Sequence, residues 1–85
     1  MMIIKPEVIR SLEREREICS FAIHHLEGKC KEFEERYRWT TEEFLQKFED
    51  GSAGDDEDFF RWYTIAQGLA DWKVTRNALE EVLVG

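Results

Sequence analysis

The sequence contains little that interrupts a helix. Its 85 residues include one proline, Pro6, and only five glycines. With no proline after position 6, helix is the default expectation for the interior. No run of about 18 apolar residues is present, so no membrane-spanning helix is predicted. The amino terminus also lacks the basic and apolar regions of a signal peptide. We therefore expect one all-α domain over residues 1–85, located in the cytoplasm.

Cysteines are equally scarce, and both fall in the same predicted helix. Cys19 and Cys30 are eleven residues apart, which is about 16 Å along a helix. That separation is too long for a disulfide bond. The sequence therefore predicts two reduced thiols in the core, as is usual for proteins of a reducing compartment.

Motifs for catalysis are missing as well. The chain has no glycine-rich phosphate-binding loop. His24 and His25 are adjacent, so on a helix they diverge by about 100° and cannot share a metal ion directly. Neither histidine has a nucleophile nearby with a recognisable local signature. We therefore expect no enzymatic activity, no metal site and no cofactor.

A weak catalytic alternative rests on four carboxylates. Glu32 and Glu35 are followed by Asp55 and Asp58 at the same internal spacing. This pattern loosely resembles the Mg²⁺-binding set of all-α nucleotide pyrophosphatases, which implies a metal ion held against a triphosphate. It remains a minor alternative, because Asp55 also suits a helix cap.

What the chain does have is an acidic centre. Residues 39–60 hold eight acidic side chains and one basic one, whereas the segments on either side are each neutral. This segment therefore carries the whole net charge of −7. Its charge disfavours contact with the phosphates of nucleic acids. A basic protein surface is the better expectation for a partner.

Two long amphipathic segments flank that centre. The pattern predicts helices over about 6–38, 41–50 and 56–83, with the two long helices in an antiparallel pair joined by the short one. Apolar residues of the first helix alternate in steps of three and four, as in a coiled-coil seam. Arg16 and Arg76 occupy seam positions and are expected to be ion-paired, to extend toward water or to mark where a second subunit docks. We expect a dimeric bundle assembled through seam residues Leu12, Cys19, Ile23, Leu26, Cys30 and Phe33.

Local signals mark the short helix and the start of the last one. Thr40 and Glu43 have the spacing of a capping box. Gly51 suits the left-handed position that follows a helix. Asp55 or Asp56 is expected to cap the last helix, whose first turn is acidic.

The same central segment resembles a signature of small prokaryotic antitoxin-like proteins. The residues that carry the resemblance are Tyr37, Trp39, Thr40, Glu42, Glu43, Phe44, Phe48, Gly51, Asp55, Asp56, Asp58, Phe59 and Trp62. The resemblance implies a partner that is a toxin, often a ribonuclease, which this chain binds and masks.

The leading functional prediction is therefore a protein-binding module, most concretely the antitoxin of a toxin–antitoxin pair. We expect a basic toxin to contact the acidic loop and two aromatic anchors, that is Asp55, Asp56, Asp58, Phe59 and Trp62. The main alternative is a structural helical module that oligomerises and has no catalytic role.

Overall fold

The computed structural model describes residues 5–84, and these form three helices. They are α1 (Pro6–Tyr37), α2 (Thr41–Glu49) and α3 (Glu57–Val84). The prediction of an all-helical chain with three helices is confirmed, and each boundary lies within one residue of the predicted one.

The two long helices pack against each other and run in opposite directions. Near the connection, Arg36 of α1 forms an ion pair with Asp58 of α3 at 2.7 Å. Farther away, Glu27 of α1 lies 3.7 Å from Lys73 of α3. Residue numbers therefore fall along α1 as they rise along α3, which makes the pair antiparallel.

Short-range sequence signals set the ends of α2. The Thr40 hydroxyl accepts a hydrogen bond from the Glu43 amide at 3.1 Å. The Glu43 carboxylate accepts one from the Thr40 amide at 3.4 Å, which completes the predicted capping box. After α2, Gly51 adopts φ 83°, the left-handed conformation that glycine reaches without steric cost.

The start of α3 resolves the choice between two caps. The Asp56 carboxylate accepts a hydrogen bond from the Asp58 amide at 2.9 Å. Asp56 therefore caps α3 in place of the alternative, Asp55. A carboxylate at this position also complements the positive end of the helix dipole.

The core lies where the three helices meet. Its buried members are Cys30, Phe44, Phe59 and Trp62. The rings of Phe44 and Trp62 stack at a centroid distance of 4.0 Å with an interplanar angle of 2°. Thus α2 contributes one central ring, and this ring fixes α2 against α3.

Away from this core the described chain consists of α1 and α3 alone, with no third helix packed against them. It measures 52 × 21 × 16 Å. Its radius of gyration is 16.8 Å, whereas a compact chain of this length would have about 12 Å. The smallest dimension is little more than the diameter of one helix with its side chains, about 10–12 Å. Much of α1 and α3 is therefore covered on one face only.

Candidate functional site

Two residues that the sequence suggested as partner anchors are core residues. Trp62 has no exposed surface and Phe59 is only 6% exposed. Phe59 packs against Tyr37 at a centroid distance of 4.9 Å. Neither ring can contact a partner in this fold, so the expected aromatic anchors must be sought elsewhere.

The predicted oligomer seam is likewise used within the chain. Cys19, Ile23 and Cys30 are buried, and Leu12, Leu26 and Phe33 are half-buried. Phe33 stacks on Trp62 of α3 at 5.5 Å. The seam therefore holds α1 against α3 of the same molecule, and a dimer would need a different surface. Both cysteines carry free thiols, as predicted.

Asp58, in the first turn of α3, belongs to a network that joins α1 to α3. Its carboxylate accepts a hydrogen bond from the Tyr37 hydroxyl at 2.6 Å and one from Arg36 at 2.7 Å. These two bonds, first that from Tyr37, lower the pKa of the Asp58 carboxyl. The same hydrogen bond and partial burial raise the pKa of Tyr37 to about 12. Asp58 therefore stabilises the connection between the helices rather than facing a partner freely.

The remaining acidic residues form an exposed surface, which we call the acidic end (residues 39–60). Asp55 and Asp56 are exposed in the loop before α3, Glu57 is exposed at the start of α3, and Glu49 is exposed at the end of α2. Beside them Phe60 is 56% exposed. The structure therefore combines uncompensated negative charge with an accessible ring, and Phe60 replaces its neighbour Phe59 as the aromatic group of this surface.

The four carboxylates of the pyrophosphatase alternative are not brought together. Glu32 and Asp58 line one groove between α1 and α3. Glu35 lies at a different depression, beside Trp39 and α2. Within residues 5–84, no group of three or more His, Cys, Asp or Glu side chains could hold a metal ion.

A second surface lies along one side of the helix pair. His25 and Lys29 of α1 line a groove together with Arg61 and Ile65 of α3. These residues therefore mark the side of each helix that faces this groove.

The same side continues along both helices as an apolar strip. A step of seven residues returns to nearly the same side of a helix. Ile18 therefore shares the side of His25, and Trp72 and Leu79 share the side of Ile65. On this side Ile18 is 46% exposed and Trp72 is 37% exposed. Phe21 is 77% exposed, but it lies two residues, or about 200°, from the buried Cys19 and Ile23 and so faces away from α3. We call this surface the open face; Ile18 and Trp72 are its exposed apolar residues, and Ala22, Ile65, Leu79 and Leu83 beside them are half-buried.

Helix α2 covers the opposite side of α3. Phe48 of α2 stacks on Tyr63 at 4.5 Å with an interplanar angle of 20°. Tyr63 precedes Ile65 by two residues, a rotation of about 200° around the helix. Thus α2 leaves the open face uncovered along its full length.

Comparison with known proteins gives no relatives. No family model matches the chain, and no curated protein and no solved structure shows significant similarity to it. Across residues 5–84, none of the helices combines the length and apolar character needed to cross a membrane.

Proposed function

We propose that this protein is a protein-binding module, the antitoxin of a toxin–antitoxin pair, and that its acidic end masks a basic toxin. The observation that carries this proposal is the placement of charge. The whole net charge of −7 belongs to residues 39–60, and these residues occupy one end of a rod 52 Å long. Charge concentrated in this way accelerates the encounter with a surface of opposite sign.

The acidic end also has the composition of a contact surface. Exposed Phe60 supplies a ring, and its own position is fixed because it packs edge-on against Phe48 at 5.6 Å. A rigid aromatic group surrounded by charged residues is a common arrangement in protein interfaces. The resemblance of residues 37–62 to antitoxin-like proteins is consistent with this assignment. We further propose that the protein acts as a homodimer.

The test is co-expression with the product of the neighbouring gene, followed by size-exclusion chromatography with light scattering. Three exposed carboxylates with no capping role are then neutralised together, by Glu49→Gln, Asp55→Asn and Glu57→Gln. Exposed ion pairs each contribute about 0.2–1 kcal/mol. The triple variant should therefore bind the partner between about threefold and a hundredfold more weakly. Most of the loss should lie in the association rate and should shrink at high salt.

A matched control removes the same charge from the other part of the molecule. Glu13→Gln, Glu17→Gln and Glu81→Gln change exposed carboxylates outside residues 39–60, and they leave the same net charge as the first triple variant. This control should bind the partner as the wild type does. Equal weakening in both triple variants would show that total charge matters rather than the acidic end. Absence of any complex with the neighbouring product would contradict the antitoxin proposal.

The structural helical module remains the second candidate. It is favoured by the exposed apolar residues of the long helices, among which Phe21 exposes 77% of its surface. A chain that assembles with itself and ignores its genomic neighbour in the experiment above would support this second function.

A further inference from the structure

We propose that Arg16 of α1 and Arg76 of α3 together bind a phosphate group, supplied by inorganic phosphate or by a small phosphorylated compound. The site lies in the contact between the two long helices, in the part of the rod remote from α2. It is separate from the acidic end, so this inference does not rest on the antitoxin proposal.

The two arginines lie at nearly the same level of the helix pair. A Cβ atom on Gly68 would lie 3.7 Å from Leu26 Cδ1, so these two residues face each other across the contact. Arg16 lies ten residues from Leu26, or about 15 Å along α1. Arg76 lies eight residues from Gly68, or about 12 Å along α3 in the same direction. The two arginines therefore differ in level by about 3 Å, which is less than one helical turn.

Each arginine is covered by the opposite long helix. Arg16 and Arg76 are half-buried, whereas α2 lies against the other part of α3, where Phe48 stacks on Tyr63. The contact between α1 and α3 is closed one turn away from Arg16, since Cys19 is only 1% exposed. Two guanidinium groups are thus held in one narrow layer between the helices.

This layer contains two positive charges that the described chain does not neutralise. Within residues 5–84, no carboxylate forms an ion pair with either arginine. Glu13 and Glu80 lie about one turn away on the same two helices, yet neither pairs with them. Lys73, which is half-buried nearby, is paired with Glu27 at 3.7 Å. Two partly buried like charges without a counter-ion are unfavourable, and an anion between them would relieve this cost.

The Nε–H group of Arg76 favours a phosphate as that anion. Its nitrogen is buried, and none of residues 5–84 provides a hydrogen-bond acceptor for it, although buried donors almost always have one. The planar edge of a guanidinium group can donate two parallel hydrogen bonds to a phosphate. A phosphate monoester carries a charge of about −1.5 to −2 at pH 7, which matches two arginines, whereas a single carboxylate would neutralise only one.

The net charge of the chain does not oppose this binding. The charge of −7 belongs to residues 39–60. The last of these residues precedes Arg76 by sixteen positions, or about 24 Å along α3. Salt screens charges beyond about 8–10 Å. The acidic end therefore repels an anion at the arginine layer only weakly.

The first test is calorimetric titration of the full chain with inorganic phosphate at constant ionic strength. One phosphate should bind per chain. Arg16→Gln and Arg76→Gln should each weaken this binding at least about tenfold, because each removes charge-assisted hydrogen bonds. Titration with methyl phosphate distinguishes the two sources, since tighter binding of the monoester would indicate a phosphorylated compound. Absence of phosphate binding, or binding that survives both substitutions, would overturn the proposal.

Arg14→Gln is the matched control. It removes the same charge from α1, but Arg14 is exposed and lies two residues, or about 200°, from Arg16. This variant should bind phosphate as the wild type does. Equal weakening in Arg14→Gln and Arg16→Gln would show that the total charge of α1 matters rather than the arginine layer.

The second test uses the sign of a stability change. In phosphate-free buffer, Arg76→Met should raise the urea midpoint of unfolding, because it removes the unpartnered donor and one of two like charges while keeping an unbranched side chain. Phosphate should then stabilise the wild type more than this variant. The comparison between the two proteins is needed because phosphate also stabilises folded proteins through exclusion from their surface.

A lower urea midpoint for Arg76→Met in phosphate-free buffer would show that Arg76 is satisfied within the chain itself, which would overturn the proposal. An equal effect of phosphate on both proteins would have the same meaning.

Discussion

Thr41 joins all three helices through one hydroxyl group, and removing that group is the sharpest test of the fold. The Thr41 hydroxyl donates a hydrogen bond to the Glu34 carboxylate of α1 at 2.9 Å. The same oxygen accepts a hydrogen bond from Trp62 Nε1 of α3 at 3.2 Å. Thr41 itself begins α2, and its amide donates a second hydrogen bond to Glu34 at 2.7 Å.

Thr41→Val removes the hydroxyl and keeps the branched shape, so helix propensity and volume change little. Trp62 has no exposed surface. Its indole N–H would lose its acceptor, which costs about 1–3 kcal/mol for a buried donor. Glu34 keeps its hydrogen bond from the Thr41 amide. Losing only the bond from the hydroxyl should therefore cost less than about 1 kcal/mol. We therefore expect the free energy of unfolding to fall by about 1–4 kcal/mol, out of roughly 4–13 kcal/mol for a domain of this length.

Urea unfolding followed by circular dichroism measures this change. All samples need the same protein concentration, because self-association would add to the apparent stability. Thr41→Ser is the control: it keeps the hydroxyl and loses one methyl group, which should cost less than about 1 kcal/mol. If Thr41→Val is as stable as Thr41→Ser, the hydroxyl does not join the helices energetically and our explanation is wrong.

The remaining predictions concern the pH dependence of stability and two glycines. The pKa of Tyr37 is raised to about 12, so its contribution to stability is complete below about pH 10, the pKa of an unfolded tyrosine, and is lost as the pH rises to about 12. Asp58 has a lowered pKa, so its contribution is present above about pH 4 and is lost in more acidic solution. Urea midpoints measured across both ranges should show these losses, and Tyr37→Phe should flatten the alkaline one; an unchanged alkaline profile would contradict the role of Tyr37. Gly28→Ala should stabilise α1 by about 1 kcal/mol, because an added Cβ would meet no atom within 4 Å. Gly51→Ala should destabilise the protein by about 1 kcal/mol, since its φ of 83° is unfavourable for alanine. Thermal melts of the two variants should shift in opposite directions, and shifts of the same sign would count against this reasoning.

The helix boundaries could be predicted because they depend on neighbouring residues. Thr40, Glu43 and Gly51 act over three or four positions, and the structure uses each as expected. The end of α1 is different. Arg38 takes the left-handed conformation with φ 61°, a conformation that disfavours most side chains. No local sequence signal marks arginine for this role, so the helix was predicted to include it.

The candidate surface required information that periodicity alone does not contain. Phe59 and Phe60 are adjacent and have the same chemistry, yet one is 6% exposed and the other 56%. The spacing of three between Phe59 and Trp62 indicated a shared side of α3. It could not indicate that α1 and α2 of the same chain cover that side, because a stripe of apolar residues is compatible with any apolar partner. The hydrogen bonds of Thr41 were missed for a similar reason, since they connect three distant segments.

Stabilising interactions are unevenly distributed between the two ends of the rod. The connected end holds the stacked rings and the Tyr37–Asp58 network, whereas the other end consists of two helices with half-buried Arg16 and Arg76 in their seam. Among residues 5–84, the buried Nε of Arg76 finds no hydrogen-bond acceptor, and such a donor costs about 1–3 kcal/mol.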